Sequence, residues 1–124
     1  MQDHKKIGVW WKAHRLLRDL ERLLAGIKRI GAPGLRNQTL RAAESIPRNI
    51  VEGCGTDSHA EFARFLGISL KSVKELEYHI QRLYEVGAIS VAQRVRFEGR
   101  VTEVRRMLFA FRESVRRQAR KGEQ

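Results

Sequence analysis

The chain is poor in cysteine, proline, acidic residues and long apolar runs, and each shortage excludes something. A single cysteine, Cys54, leaves no partner for an internal disulfide and no cysteine-rich zinc site. The four histidines, His4, His14, His59 and His79, show no metal-ligand spacing, so no metal or cofactor is expected. No stretch approaches the roughly 18 apolar residues of a membrane span. The segment MQDHKKIGVWW carries bases but no apolar core, which reads as no secretory signal and as a cytoplasmic protein. Only two prolines, Pro33 and Pro47, punctuate 124 residues, and the apolar periodicity between them is helical. Acids number 14 against 25 Lys and Arg, a net charge of +11.

That excess is local. Positions 88–124 hold ten bases against four acids, and positions 1–31 hold eight against three. Positions 32–87 are neutral, with seven of each, so the terminal segments carry the whole imbalance. Charge so concentrated bears on partners rather than on fold, and it points to a polyanion.

The pattern predicts four helices in a single domain over 1–124. The first, over 8–30, places Val9, Trp10, Ala13, Leu16, Leu20, Leu24, Ile27 and Ile30 on one face. The second, over 34–53, contains Pro47, which removes an amide donor and predicts a kink. The third, over 59–86, opens on Ser58-His59-Ala60-Glu61, a capping box, and the fourth, over 91–119, on Ser90-Val91-Ala92-Gln93, a second one. Residues 119–124 are expected to fray. Long one-faced helices with short connections make an all-α, antiparallel up-down four-helix bundle. Trp10, Leu20, Ile46, Phe62, Leu76, Leu108 and Phe111 are its expected core.

With the fourth helix turned inward on Phe97, Val101, Leu108 and Val115, residues Arg105, Arg112, Arg116 and Arg120 follow one outer edge. Arg106 and Arg117 sit a quarter-turn further round. A row at this pitch suits a phosphate backbone, because each neutralised phosphate releases counterions. The first helix adds Lys12, Arg15, Arg18, Arg22, Lys28 and Arg29. The same charges would also serve as a solvated face or dock an acidic protein. Trp11, Ile68 and Val86 are apolar residues off the main stripes and are candidates for an oligomer interface; Trp11 would equally stack on a nucleobase.

Ser45, Asn49 and Glu52 on the second helix, with Ser72 and Glu75 on the third, are expected to form a structural polar network. Asn49 or Ser45 is placed to take up a backbone group freed by Pro47. No constellation suggests catalysis. A di-iron site wants four carboxylates and two Glu-x-x-His pairs, which are absent. Nothing activates Ser or Cys54, and there is no phosphate-binding glycine loop. The expectation is a non-enzyme.

One ordered set of residues has a parallel elsewhere. It comprises Val9-Trp10-Trp11-Lys12-Ala13, Gln38, Arg41-Ala42-Ala43, Ser45-Ile46, Asn49-Ile50, Glu52-Gly53, Glu61-Phe62, Phe65-Leu66, Ser72 and Glu75-Leu76-Glu77. It resembles the four-helix-bundle proteins encoded in intervening sequences of bacterial 23S ribosomal RNA genes. That family is related to the accessory variability determinant of diversity-generating retroelements. The likeness covers about residues 9–90, and the fourth helix matches in pattern only. The resemblance implies the same fold and a homo-oligomer, a pentameric ring. By analogy with the retroelement members it also implies binding to RNA or DNA and association with a reverse transcriptase. The expected function is thus a non-catalytic, backbone-directed nucleic-acid-binding accessory protein. The alternative is an interaction scaffold whose basic surface docks an acidic protein.

Overall fold

A computed structural model describes residues 2–122. A short 3-10 turn at His4–Lys6 leads into four helices: α1 (Gly8–Ala25), α2 (Leu35–Cys54), α3 (His59–Glu85) and α4 (Val91–Gly122). Each packs against its neighbours in the chain, and α1 closes the ring against α4. The result is the antiparallel up-down bundle that the periodicity predicts, all-α across the described residues.

The core is aliphatic. Leu16, Leu20 and Leu24 of α1 meet Ile46 and Ile50 of α2, while α3 supplies Leu66, Val73, Leu76, Ile80 and Leu83, and α4 supplies Val101 and Leu108. All are less than 2 % exposed, so truncating any one would leave a cavity costing about 2–5 kcal/mol for Leu→Ala. Five of the seven expected core residues are buried. Trp10 and Phe111 are only half-buried. Trp10 lies at the end of the bundle, its ring stacked on His14 at 4.8 Å and edge-on to His4 at 4.6 Å. Phe111 meets the Phe62 ring edge-on at 5.6 Å.

The ends of the helices follow their caps. α1 stops at Ala25, five residues short of its expected end, although the apolar spacing continues through Ile27 and Ile30. Gly26 closes the last turn, and the guanidinium of Arg36 donates to the carbonyls of Leu24 and Ile27, satisfying acceptors that a further turn would otherwise occupy. Ile27 and Ile30 still pack on the core, from non-helical backbone. α2 starts after Gly34, whose φ of 78° is left-handed, and runs as one helix through Pro47. At α3 the Ser58 hydroxyl accepts from the Glu61 amide, but the Glu61 carboxylate turns to Arg64, so only half of that capping box forms. At α4 the box is reciprocal: the Ser90 amide donates to the Gln93 side chain at 2.8 Å, and the Gln93 amide to the Ser90 hydroxyl at 3.1 Å. Residues 119–122, expected to fray, continue α4; residues 123–124 lie outside the described residues.

Candidate nucleic-acid interface

The inward residues of α4 fix the direction of its arginines. At about 100° per residue, Arg105, Arg112, Arg116 and Arg120 fall on the flank next to α3, and Arg106 and Arg117 on the outer face. Interhelix ion pairs agree with this register. Arg105 reaches Glu77 of α3 at 2.8 Å, while on the other flank Arg100 reaches Asp19 of α1 at 2.7 Å and Glu103 reaches Lys12 at 3.1 Å.

The α3 flank is not a flat edge. It is one wall of a groove of about 860 Å³, whose other wall carries Arg64, Lys71 and Lys74 of α3. Arg112, Arg116 and Arg120 line it from α4, and Ala60, Ala63, Gly67 and Ala119 keep its floor low. No carboxylate lines it. Acids touch its cations only from the rim: Glu61 on Arg64 at 2.6 Å, Glu77 on Lys74 at 3.5 Å, and Glu113 on Arg116 at 3.1 Å and Arg112 at 3.7 Å. Those on Arg64, Lys74 and Arg116 are solvent-exposed pairs, which contribute little, so a phosphate can displace them. Lys71 and Arg120 have no acidic partner among the described residues.

Arg112 departs from expectation. It does not project outward. Its side chain is 19 % exposed, its guanidinium lies 5.5 Å from the centre of the Phe109 ring, and its buried Nε has no hydrogen-bond partner. Arg106 and Arg117 face solvent away from the groove and form no ion pair among the described residues. Arg15, Arg18 and Arg22 lie on the outer face of α1, with Arg18 on Glu21 at 3.6 Å and Arg22 on Asp19 at 3.1 Å. Because α1 packs on α2 and α4 and not on α3, these arginines do not join the groove. Arg105, although on the same flank, does not line the groove: it sits in a separate hollow with Glu77 and Glu98. The structure therefore separates the nine expected arginines into four places, with only Arg112, Arg116 and Arg120 in the groove. It also adds three bases that the sequence pattern did not assign to a site, Arg64, Lys71 and Lys74. Their spacing of seven and three along α3 was the available signal.

The three interface candidates are likewise dispersed. Trp11, on the first turn of α1, is 41 % exposed, with its indole Nε1–H donating to the Lys5 carbonyl at 2.9 Å. Val86, half-buried, caps the opposite end of the bundle after α3, and half-buried Ile68 lies midway along α3 beside the groove.

Three of the five expected network residues come together. The Asn49 amide donates to the Ser45 carbonyl at 2.8 Å and to the Ser45 hydroxyl at 2.9 Å, and the Ser72 hydroxyl donates to the Ser45 hydroxyl at 2.7 Å. Ser69, fully buried on α3, joins by donating to the Ile46 carbonyl at 2.8 Å. These bonds tie α3 to α2 one turn from Pro47. They end on the carbonyls of Ser45 and Ile46, not on the Ala43 carbonyl that proline releases. Glu52 and Glu75 stand outside. Both are exposed, and Glu52 pairs with Arg48 at 3.5 Å. Carboxylates at these positions keep their hydration, whereas neutral hydroxyls and an amide tolerate burial once bonded. Asn49→Ala is expected to lower stability by about 1–3 kcal/mol, because the carbonyl and hydroxyl of Ser45 lose the Asn49 amide as a donor. Thermal melting and oligonucleotide affinity should part company: the first falls and the second holds.

Cys54 is buried, and desolvation pushes its thiol above the usual range, with Asp3 adding to the effect, which disfavours the thiolate. His79 is half-buried, with Nδ1 unpartnered. Burial holds it below the ordinary value of 6.5, against the opposing pull of Glu75. The folded state thus prefers neutral imidazole. Its contribution is complete above about pH 6.5 and is lost as pH falls from there through the lower folded value. Melting temperature should decline over that window, and His79→Gln should flatten the decline. Asp19, Glu61 and Glu85, held low by Arg100, Arg64 and Arg82 respectively, add a separate loss only at more acid pH. Among the described residues, no group of three or more His, Cys, Asp or Glu could hold a metal ion, and no helix is long and apolar enough to cross a membrane.

The model of the 23S rRNA-intervening sequence protein family matches residues 5–110. The chain belongs to that family. The match spans the groove's α3 wall and the first half of α4, and ends two residues before Arg112. A crystal structure of a protein of unknown function from the S23 ribosomal protein family of Bacteroides thetaiotaomicron VPI-5482 shares the fold, with a TM-score of 0.77. It is 24 % identical in sequence, and the alignment covers 85 % of this chain and 95 % of that one. No curated protein matches the sequence.

Proposed function

We propose that this protein is a non-catalytic nucleic-acid-binding accessory factor that holds a phosphate backbone in the α3–α4 groove. One observation carries the reading: six cations from two helices line a concave surface with no carboxylate in its lining. Such a surface focuses positive potential where a row on a convex helix would spread it. Contacts of this type read backbone rather than base, so binding is weakly sequence-specific and strongly salt-dependent. The family resemblance adds a homopentameric assembly and a reverse transcriptase as partner, which would give several copies of the groove around one polymerase. The test is a salt series of oligonucleotide affinity. The logarithm of affinity should fall linearly with the logarithm of salt concentration, with a slope set by the phosphates neutralised.

A second reading rests on the same groove. Ala60, Ala63 and Gly67 leave space for a close backbone approach, which fits an acidic helix of a protein partner. A protein that binds no oligonucleotide at low salt supports this alternative.

A further inference from the structure

The groove is bordered by aromatic rings that the phosphate contacts leave unused. Phe109 is 52 % exposed, on the α3 flank of α4, and Arg112 joins it to the groove by lying over its ring. Tyr78 is 58 % exposed and lines a shallow hollow on α3 together with Glu75, His79 and Lys71 and Lys74, the two lysines that also line the groove. Neither ring serves the core. Phe109 and Tyr78 lie outside the buried cluster and its packed fringe, unlike Phe62, Phe97 and Phe111. Large apolar side chains in open solvent beside a row of cations are placed for a ligand with both flat faces and negative charge.

We propose that the nucleic acid held here is single-stranded, with unpaired bases stacking on Phe109 and Tyr78 while the backbone follows the lysines and arginines of the groove. This deepens the nucleic-acid reading and rests on it. In a duplex each base face is already covered by its neighbour, so an aromatic ring outside the helix gains nothing from it. In a single strand a base is free to leave its neighbour and cover the ring, and alternation of cations with aromatics is the pattern by which strands are held without sequence preference. Arg112 prepares the site: its guanidinium already occupies one side of Phe109 and turns that ring toward a base on the other.

The experiment compares fluorescence anisotropy of a polypyrimidine DNA strand, its RNA counterpart and a mixed-sequence duplex of equal length, all at one low salt concentration. The wild type should bind the strands more tightly than the duplex. Phe109→Ala should weaken strand binding by about 5- to 150-fold, the effect of removing one stacked base, while duplex affinity stays within about twofold. Tyr78→Ala should act in the same direction, and Phe109→Trp should restore or tighten binding. Both rings are exposed, so the melting temperature should hold. Equal weakening of strand and duplex, or no weakening of either, overturns the stacking proposal and leaves the groove reading standing. A wild type that binds none of the three overturns both. The DNA and RNA arms decide which strand is preferred, because only RNA offers a 2′-hydroxyl.

Discussion

Gly53→Val is expected to lower the melting temperature by more than about 10 °C, and Gly53→Ala by a smaller but clear amount. A Cβ at this position would lie 2.6 Å from Cδ1 and 2.9 Å from Cε1 of Phe62, and 3.2 Å from Cβ of Phe65. The Phe62 ring is 7 % exposed and braced edge-on by Phe111, so it has nowhere to swing. Overpacking of this kind costs about 1–3 kcal/mol for small additions. For alanine the better helix propensity offsets up to about 1 kcal/mol of that; valine adds two methyl groups and no such gain. A decrease of about 1 kcal/mol corresponds to roughly 3–6 °C in a domain of this size. Gly99→Ala provides the opposite sign. Its Cβ would meet nothing within 4 Å inside α4, so stability should rise. If Gly53→Ala and Gly99→Ala shift melting equally, the close α2–α3 approach is not what position 53 requires.

Gly53 also explains the run SIPRNIVEG. Ser45 and Asn49 hold the network to α3, Ile46 and Ile50 fill the core, and Gly53 admits the Phe62 ring against the α2 backbone. These residues were legible because each sits on the α2 face that the 3.6-residue period turns inward. Their mutual bonds were not, since register between helices is invisible in one helix's pattern. The end of α1 was illegible for a similar reason. Periodicity continues through Ile30, and the stop depends on Arg36, ten residues beyond Gly26, reaching back to two carbonyls.

The candidate site was half-legible. The arginine row on α4 follows from the inward residues alone. The opposing wall was hidden because positions 32–87 are neutral in sum: Arg64, Lys71 and Lys74 are balanced by acids such as Glu44, Glu52 and Glu85, which pair with Arg48 and Arg82 outside the groove. Net charge over a window averages around the helix, whereas a ligand meets one side of it. Arg112 shows the complementary effect. A side chain assigned to solvent by helical angle is drawn into the groove by the Phe109 ring and by the open space above Gly67.

The central claim, that the α3–α4 groove holds the phosphate backbone, yields the second large effect. Replacing Lys71, Lys74, Arg116 and Arg120 together by Gln removes four of the groove's cations and spares Arg112, which packs on Phe109. All four are exposed, so the fold should persist. The comparison variant carries Gln at Arg22, Arg41, Arg48 and Arg82, which lie outside the groove, and gives up the same four charges from +11. The decisive measurement is the slope of log affinity against log salt for a single-stranded oligonucleotide, taken on wild type and both variants. The account predicts that the groove variant's slope flattens by up to about 0.7 for each phosphate no longer neutralised, about 2.8 in all, with a large fall in affinity, while the comparison variant keeps most of the wild-type slope. Equal flattening in the two variants would contradict it, because bulk charge and not the groove would then be holding the strand.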